Sequence, residues 1–151
     1  MANNPSRRPL RWLTFLWPVL LILLLFGLKT VMDKSRGGAG RVLYEKHCAN
    51  CHMEQGEGLR GLYPPLAGAD YVAAHEADMA CLIRYGRREP LTVNGISYSQ
   101  IMPGNPGLAP SELTALVNYI KTAWDENGET VSFGAVQAAL DSCEGQEIVQ
   151  P

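Results

Sequence analysis

The sequence predicts a mainly α-helical protein: an N-terminal transmembrane helix, then a helical domain that carries a small β-hairpin. Three observations support this fold class. They are an uncharged apolar run near the N-terminus, later segments with apolar residues at helical spacing, and an Asn-Gly pair between two short strand-like segments. At 151 residues the chain can form one modest domain and an anchor. We divide it into an anchor (1–32), a linker (33–40), a helical domain (41–126) and a C-terminal extension (127–151).

The charge is distributed unevenly along the chain. The first 40 residues hold six basic residues and one acidic residue, whereas residues 41–151 hold seven basic and fourteen acidic residues. Because the part able to fold is acidic and would repel phosphate, this distribution argues against a basic nucleic-acid-binding protein. Four cysteines are too few for a disulfide-rich mini-protein, and the mixed composition argues against bulk disorder.

The predicted anchor rests on residues 12–28, a run of seventeen residues without a charge. A helix rises about 1.5 Å per residue, so this run spans roughly 25 Å. Its continuation to Met32, with the Lys29 ammonium reaching the headgroups, gives about 31 Å, enough to cross a bilayer core. Trp12 and Trp17 suit the membrane interface.

Two other interpretations apply to this N-terminal segment. In a cleaved signal peptide, Arg7, Arg8 and Arg11 would form the basic region, but charged residues follow the apolar run before any small-residue cleavage site. The arginines also resemble a twin-arginine export signal. We interpret them as membrane-flanking charge. Basic residues lie on both sides of the run, so the positive-inside rule hardly distinguishes the two orientations.

Cys48-Ala49-Asn50-Cys51-His52 has the spacing C-x-x-C-H, an attachment signature for c-type haem. Two thiols at this spacing at a helix end can reach the vinyl groups on one edge of a porphyrin, and the next histidine then ligates the iron. A thioredoxin-like motif would need a preceding strand and a βαβ context. A zinc site would need a second close ligand pair, but Cys81 and Cys143 lie 62 residues apart. We therefore predict one haem c, bound covalently by Cys48 and Cys51 and ligated by His52.

Met102 is predicted to be the second axial ligand of the iron, because it lies in a Met-Pro-Gly turn that fixes the backbone. The alternative is that Met102 only packs against the haem. Met79 lies among apolar residues at helical spacing, where a core role is expected. The histidines are weaker candidates: we expect His47 to face away from the neighbour of Cys48, and helix-forming residues flank His75.

Over roughly residues 38–126 the chain resembles the class I c-type cytochromes. Their pattern is C-x-x-C-H, a Pro-x-Leu-x-Gly segment, a Met-Pro turn and a C-terminal helix. The corresponding residues here are Cys48–His52, Pro64-Pro65-Leu66-Ala67-Gly68, Met102-Pro103 and Leu113–Trp124.

The resemblance also implies contacts around the haem. The carbonyl of Pro64 should accept a hydrogen bond from the Nδ1–H of His52, which orients the ring and sets its basicity. Leu66 should lie against the porphyrin.

Two predicted helices frame this domain. Residues 40–46 form a short helix leading into the haem motif, and residues 111–124 form an amphipathic helix with Ser111 as its N-cap. In the family the first and last helices cross closely, although two generic apolar faces would lead to the same contact. The residues matched to that crossing are Gly40 and Tyr44 on the first helix, and Leu116 and Tyr119 on the last.

Between these helices we predict a helix over residues 77–85, ended by Gly86, and then a β-hairpin over residues 91–98 with Asn94-Gly95 at its turn. The hairpin resembles a branch of the family that donates electrons to terminal oxidases. It would shield one side of the haem. Tyr98 could donate a hydrogen bond near the sulfur of Met102, or be purely structural.

In the C-terminal extension, Ser132 can cap a short helix that runs through Val136 and Leu140 to Cys143. Cys81 and Cys143 are the two cysteines outside the haem motif. In an oxidising compartment we predict a disulfide between them, the alternative being two separate thiols.

With both axial positions filled, the protein is expected to transfer single electrons rather than act as an enzyme. The first hypothesis is a tethered carrier between a quinol-oxidising complex and a terminal oxidase. The second is an integral haem c subunit of a larger respiratory oxidoreductase, and a third is a gas sensor with a labile sixth ligand. The expected partners are membrane-bound redox proteins and the lipid bilayer, with no nucleic acid. We expect a single pass of the bacterial inner membrane, with the N-terminus cytoplasmic and the haem domain periplasmic.

Overall fold

A computed structural model describes residues 13–75, 78–125 and 128–150. These residues form helices and short strands, which confirms a mainly helical fold. The helices are α1 (Leu13–His47), α2 (Ala49–His52), α3 (Asp70–Ala74), α4 (Met79–Tyr85), α5 (Pro110–Thr122) and α6 (Phe133–Ser142). The strands are β1 (Gly86–Arg87), β2 (Leu91–Val93), β3 (Ile96–Tyr98) and β4 (Met102–Pro103).

The chain divides between residues 36 and 37 into two compact units, and the first contains most of α1. The side chains described there, from Trp17 to Leu28, are exposed, with Pro18 inside the helix. Within the described part of the chain, no helix is both long and apolar enough to span a membrane. Residues 1–12 of the predicted anchor lie outside the described residues, and the transmembrane helix over residues 12–32 stays a proposal.

Residues 33–40, the predicted linker, lie within α1, and their role as a linker stays a prediction. Each glycine costs roughly 1 kcal/mol relative to alanine inside a helix. Elongating an existing helix nevertheless gains one backbone hydrogen bond per residue, without the cost of a new nucleus. The short helix predicted over residues 40–46 is therefore the end of a longer one.

The core of the second unit is built on one face of α5. Its apolar residues recur at the predicted helical spacing and are 0–5% exposed. They pack with buried residues of α1, α4 and α6 in a single cluster. The residues of this face are Leu113, Leu116, Val117 and Ile120.

The predicted start of α5 is wrong by two residues. Ala109, not Ser111, is the N-cap, and the helix ends at Thr122 rather than Trp124. Pro110 fits the first helical position because it has no N–H to leave unsatisfied there. The carboxylate of Glu112 reaches back and accepts a hydrogen bond from the N–H of Ala109 at 2.8 Å. These two contacts fix the helix start without a hydroxyl cap.

Within the second unit, the crossing of α1 and α5 occurs at the predicted residues. Tyr44 is fully buried, and its ring centroid lies 5.4 Å from that of Tyr119 and 5.3 Å from that of Trp124. Leu116 belongs to the same buried cluster. Gly40 is buried at the contact, where α5 leaves no space for a side chain.

The predicted hairpin is confirmed. Strands β2 and β3 pair antiparallel, with Leu91 opposite Tyr98 and Val93 opposite Ile96. Asn94 and Gly95 both have positive φ, 50° and 74°, as the two-residue turn requires. Helix α4 ends at Tyr85 as predicted and begins at Met79, while Ala77 lies outside the described residues. The short ladder of β1 and β4 was not predicted.

The C-terminal segment packs onto this core as α6. The Oγ of Ser132 accepts a hydrogen bond from the N–H of Ala135 at 3.1 Å, so the predicted cap is present. Val136 and Leu140 are buried. A disulfide joins Cys143, at the end of α6, to Cys81 in α4, with 6.2 Å between their Cα atoms.

Candidate functional site

Cys48 lies between α1 and α2, and the other four residues of the C-x-x-C-H motif form α2. The N–H of Cys48 donates to the carbonyl of Tyr44 at 2.8 Å, and the N–H of His52 donates to the carbonyl of Cys48 at 2.9 Å. The thiols of Cys48 and Cys51 are free, the first buried and the second half-buried. Burial, with a smaller contribution from Cys51, raises the pKa of Cys48 to about 12. The helical turn therefore holds two thiols, at least one of them protonated, beside a buried histidine.

His52 is held in one tautomer. Its Nδ1 lies 2.9 Å from the carbonyl oxygen of Pro64, which can only accept, so Nδ1 carries the proton. This is the contact that the resemblance implied, and it leaves the Nε2 lone pair for a metal. Burial lowers the pKa of His52, while the bond to Pro64 acts in the opposite direction. A neutral imidazole is the form that ligates iron.

The loop after the motif fixes the position of the Pro64 carbonyl. The hydroxyl of Tyr44 donates to the carbonyl of Met53 at 2.6 Å, and the N–H of Gly58 donates to the carbonyl of His52 at 3.0 Å. Gly58 has a φ of +63°, and a Cβ there would lie 2.5 Å from the oxygen of Tyr63 and 2.6 Å from that of Pro64. The acceptor for His52 thus rests directly against a glycine.

We expect Gly58→Ala to lower the free energy of unfolding by about 2–4 kcal/mol, because left-handed backbone strain adds to a collision with backbone oxygens. It should also displace the acceptor of His52. Gly61→Ala is the matched control: its φ is +79°, but nothing lies within 4 Å of the added Cβ. Denaturant unfolding of both variants checks this, and equal losses of stability would contradict the collision.

An apolar cavity of about 140 Å³ brings the predicted residues together. Helix α4 and the hairpin contribute much of its remaining wall. The predicted site residues on its border are Cys48, Cys51, His52, Pro64, Leu66 and Met102. An adjoining cavity of about 60 Å³ is bordered by Tyr98 together with Cys51, His52 and Met102.

These residues fit haem c by the chemistry of their donor atoms. Two free thiols can form thioethers, an imidazole of fixed tautomer can ligate iron, and a thioether borders the same apolar space. Among the described residues, no group of three or more His, Cys, Asp or Glu side chains is arranged to hold a metal ion.

The alternative ligands lie as follows. His75 stacks on Tyr71 with 3.9 Å between ring centroids, its Nδ1 lies 3.1 Å from the carbonyl oxygen of Tyr71, and it borders neither cavity. His47 borders the larger cavity. Met79 also borders this cavity and is 4% exposed. Met102 borders both cavities together with His52, and this position favours Met102 as the second ligand.

Several residues of the site were not anticipated. Leu82 and Ile83 of α4 border the cavity, and the apolar spacing of that helix was the available signal. Gly58 and the carbonyl of Met53 act through backbone atoms, which carry no side-chain signature. The hydrogen bond from Tyr98 to the sulfur of Met102 stays a prediction.

Comparison with known proteins gives a consistent picture. The sequence profile of the family described as Cytochrome c matches residues 38–124. The chain is 34% identical over 90 residues to cytochrome c-552 of Thermus thermophilus, covering 57% of this chain and 69% of that protein. It is 35% identical over 92 residues to cytochrome c-554(547) of Halothiobacillus neapolitanus, covering 56% and 92%. It is 33% identical over 106 residues to the cytochrome c subunit of an alcohol dehydrogenase (quinone) of Gluconobacter oxydans, covering 68% of this chain but 22% of that protein.

Proposed function

The chain belongs to the cytochrome c family, and we propose that it is a membrane-tethered electron carrier between a quinol-oxidising complex and a terminal oxidase. Members of this family carry covalently attached haem c and transfer electrons. The tether, the two partners and the individual ligands are the proposed part. The carrier would work from the periplasmic face of the bacterial inner membrane, with its N-terminus in the cytoplasm.

One observation carries the proposal: the C-x-x-C-H turn and Met102 border the same apolar cavity. Haem c supplies a one-electron ferric–ferrous couple when bound. Cys48 and Cys51 would hold it covalently, while His52 and Met102 would ligate its iron and leave no coordination position for a substrate. A protein of this kind passes electrons and is not itself an enzyme.

The residues around the cavity would set the driving force for electron transfer. The thioether of Met102 would favour ferrous iron when haem is bound, and the apolar lining would penalise the extra charge of ferric iron. Pro64 holds the His52 ring in one orientation, so little rearrangement of that ligand is needed when the oxidation state changes. These features suit rapid and reversible electron transfer.

Exposed apolar side chains support the proposed tether. Every side chain described from Trp17 to Leu28 is exposed, including Leu24 at 60% and Phe26 at 69%. Such a continuous apolar surface is unfavourable in water, and a bilayer would bury it. Tethering would raise the effective concentration of the haem domain for membrane-bound partners. The acidic balance of residues 41–151 would favour partners with a basic docking face.

Replacement of Met102 tests the axial assignment. We expect Met102→Ala to lose the weak far-red sulfur-to-iron band of the ferric protein completely, and its reduced form to bind carbon monoxide stoichiometrically. The wild type should show the band and bind no carbon monoxide at neutral pH. Visible spectra of both proteins decide the point. Carbon monoxide binding by the wild type would instead favour a gas sensor.

A second candidate function is a haem c subunit of a larger oxidoreductase. The similarity to the cytochrome c subunit of an alcohol dehydrogenase (quinone) favours it. We expect the full chain to stay with membranes washed at high salt and, after mild detergent extraction, to elute alone. Size-exclusion chromatography with haem detection measures this. Stoichiometric co-elution with other subunits would support the second candidate, and release by salt would contradict the tether.

A further inference from the structure

The loop that carries Met102 is held by strand pairing at that residue and by backbone hydrogen bonds just beyond it. Strand β4, which contains Met102 and Pro103, pairs with β1 at the end of α4. Beyond β4, the N–H of Asn105 donates to the carbonyl of Ile83 in α4 at 2.8 Å. The position of the Met102 loop therefore depends on what fixes it to the last turn of α4.

Val149 of the C-terminal tail joins these two elements. Its N–H donates to the carbonyl of Tyr85, the last residue of α4, at 2.7 Å. Its carbonyl accepts from the N–H of Gly104 at 2.9 Å, two residues beyond Met102. The Val149 side chain is 7% exposed, so the bridge is packed as well as hydrogen-bonded.

The tail itself is tied to the same helix by the disulfide. Cys143 is the C-cap of α6 and is bonded to Cys81, one turn before Tyr85 in α4. Of the five residues between Cys143 and Val149, only Ile148 is even partly buried. This segment thus has an anchor at each end and little packing between them.

We propose that the strap, residues 143–149 together with the disulfide to Cys81, is a positioning element that keeps Met102 on the haem iron. The inference rests on the proposed role of Met102 as axial ligand. To leave the iron, the Met102 loop must move away from α4, and the strap opposes that movement because the Gly104–Val149 bond would break. Without the strap, the pairing with β1, the Asn105–Ile83 bond and the hydrogen bond from Arg84 to the Pro106 carbonyl would still hold the loop.

Competition by imidazole for the ferric iron measures loop opening directly. Val149→Pro removes the N–H that bonds to Tyr85, and we expect it to bind imidazole about fivefold to tenfold more tightly than the wild type, the size expected for one lost backbone hydrogen bond. Val149→Ala keeps both backbone groups but loses buried methyl groups, so it should tighten imidazole binding less than Val149→Pro does and measures the part that side-chain packing contributes. The pair Cys81→Ser and Cys143→Ser, which frees the other end, should change affinity in the same direction as Val149→Pro.

The same full-length, haem-loaded proteins separate the possible failures. If Val149→Pro and the double serine variant both bind imidazole as the wild type does, the strap has no positioning role, even if their thermal stability falls. If the wild type lacks the far-red band, or Met102→Ala retains it, the axial assignment fails and the strap inference falls with it. If the band is present in the wild type and weakened in both strap variants, the inference stands.

Discussion

A chain in which Cys48 and Cys51 are both replaced by alanine is expected to retain no covalently bound haem after maturation in a competent host. These two are the free thiols of the described residues, and both border the cavity. Without the thioethers only axial bonds and apolar packing would hold the group. Where the group is lost, the apolar cavity of about 140 Å³ stays empty, which would lower the free energy of unfolding by roughly 3 kcal/mol at about 24 cal/mol per Å³.

Acid–acetone extraction followed by the absorbance of the protein pellet measures the covalent fraction. The wild type should keep its colour and the double variant should lose it. The pair Cys81→Ala and Cys143→Ala is the matched control, because it also removes two sulfurs but leaves the haem motif intact. If the control lost its haem as well, the effect would reflect misfolding. Colour retained in the Cys48/Cys51 variant would overturn covalent attachment at this motif.

The parts of the fold that sequence alone could predict are those encoded by side-chain type at a fixed spacing. The Asn94-Gly95 turn could be predicted because both residues tolerate positive φ. The structure has their φ angles at 50° and 74°. The buried face of α5 follows from apolar residues three and four apart. The Cys48–His52 motif lies in a single helical turn, so spacing along the chain alone brings its groups together.

The parts that were missed depend on backbone atoms and on competition between local preferences. Val149 holds the Met102 loop through its own N–H and carbonyl, which any residue but proline could supply. Ser111 is a good capping residue, but Pro110 and Glu112 together fix the helix start two residues earlier, with Ala109 as the N-cap. The glycines of residues 37–40 disfavour a helix by their intrinsic propensity, whereas their inclusion in α1 depends on the residues around them.

Gly40→Ala is expected to lower the free energy of unfolding by about 1–3 kcal/mol, although alanine is the better helix former. A Cβ on Gly40 would collide with the carbonyl oxygen of Ala115 and lie 2.7 Å from the Cβ of Tyr119. Neither atom belongs to the flexible end of a side chain, so α1 and α5 would have to separate. That separation would disturb the packing of Tyr44, whose hydroxyl holds the loop after His52.

Gly38→Ala distinguishes this collision from helix propensity, because Gly38 lies in the same helix with nothing within 4 Å of an added Cβ. It should be neutral or stabilising by up to about 1 kcal/mol. Denaturant unfolding followed by helical circular dichroism compares the two variants at equal haem content. A lower free energy of unfolding for Gly40→Ala, with an unchanged or higher one for Gly38→Ala, would establish that the α1–α5 contact limits stability. The glycine content of the helix would then not be the limiting factor. If Gly40→Ala were as stable as Gly38→Ala, the close approach of the two helices would not exist in solution.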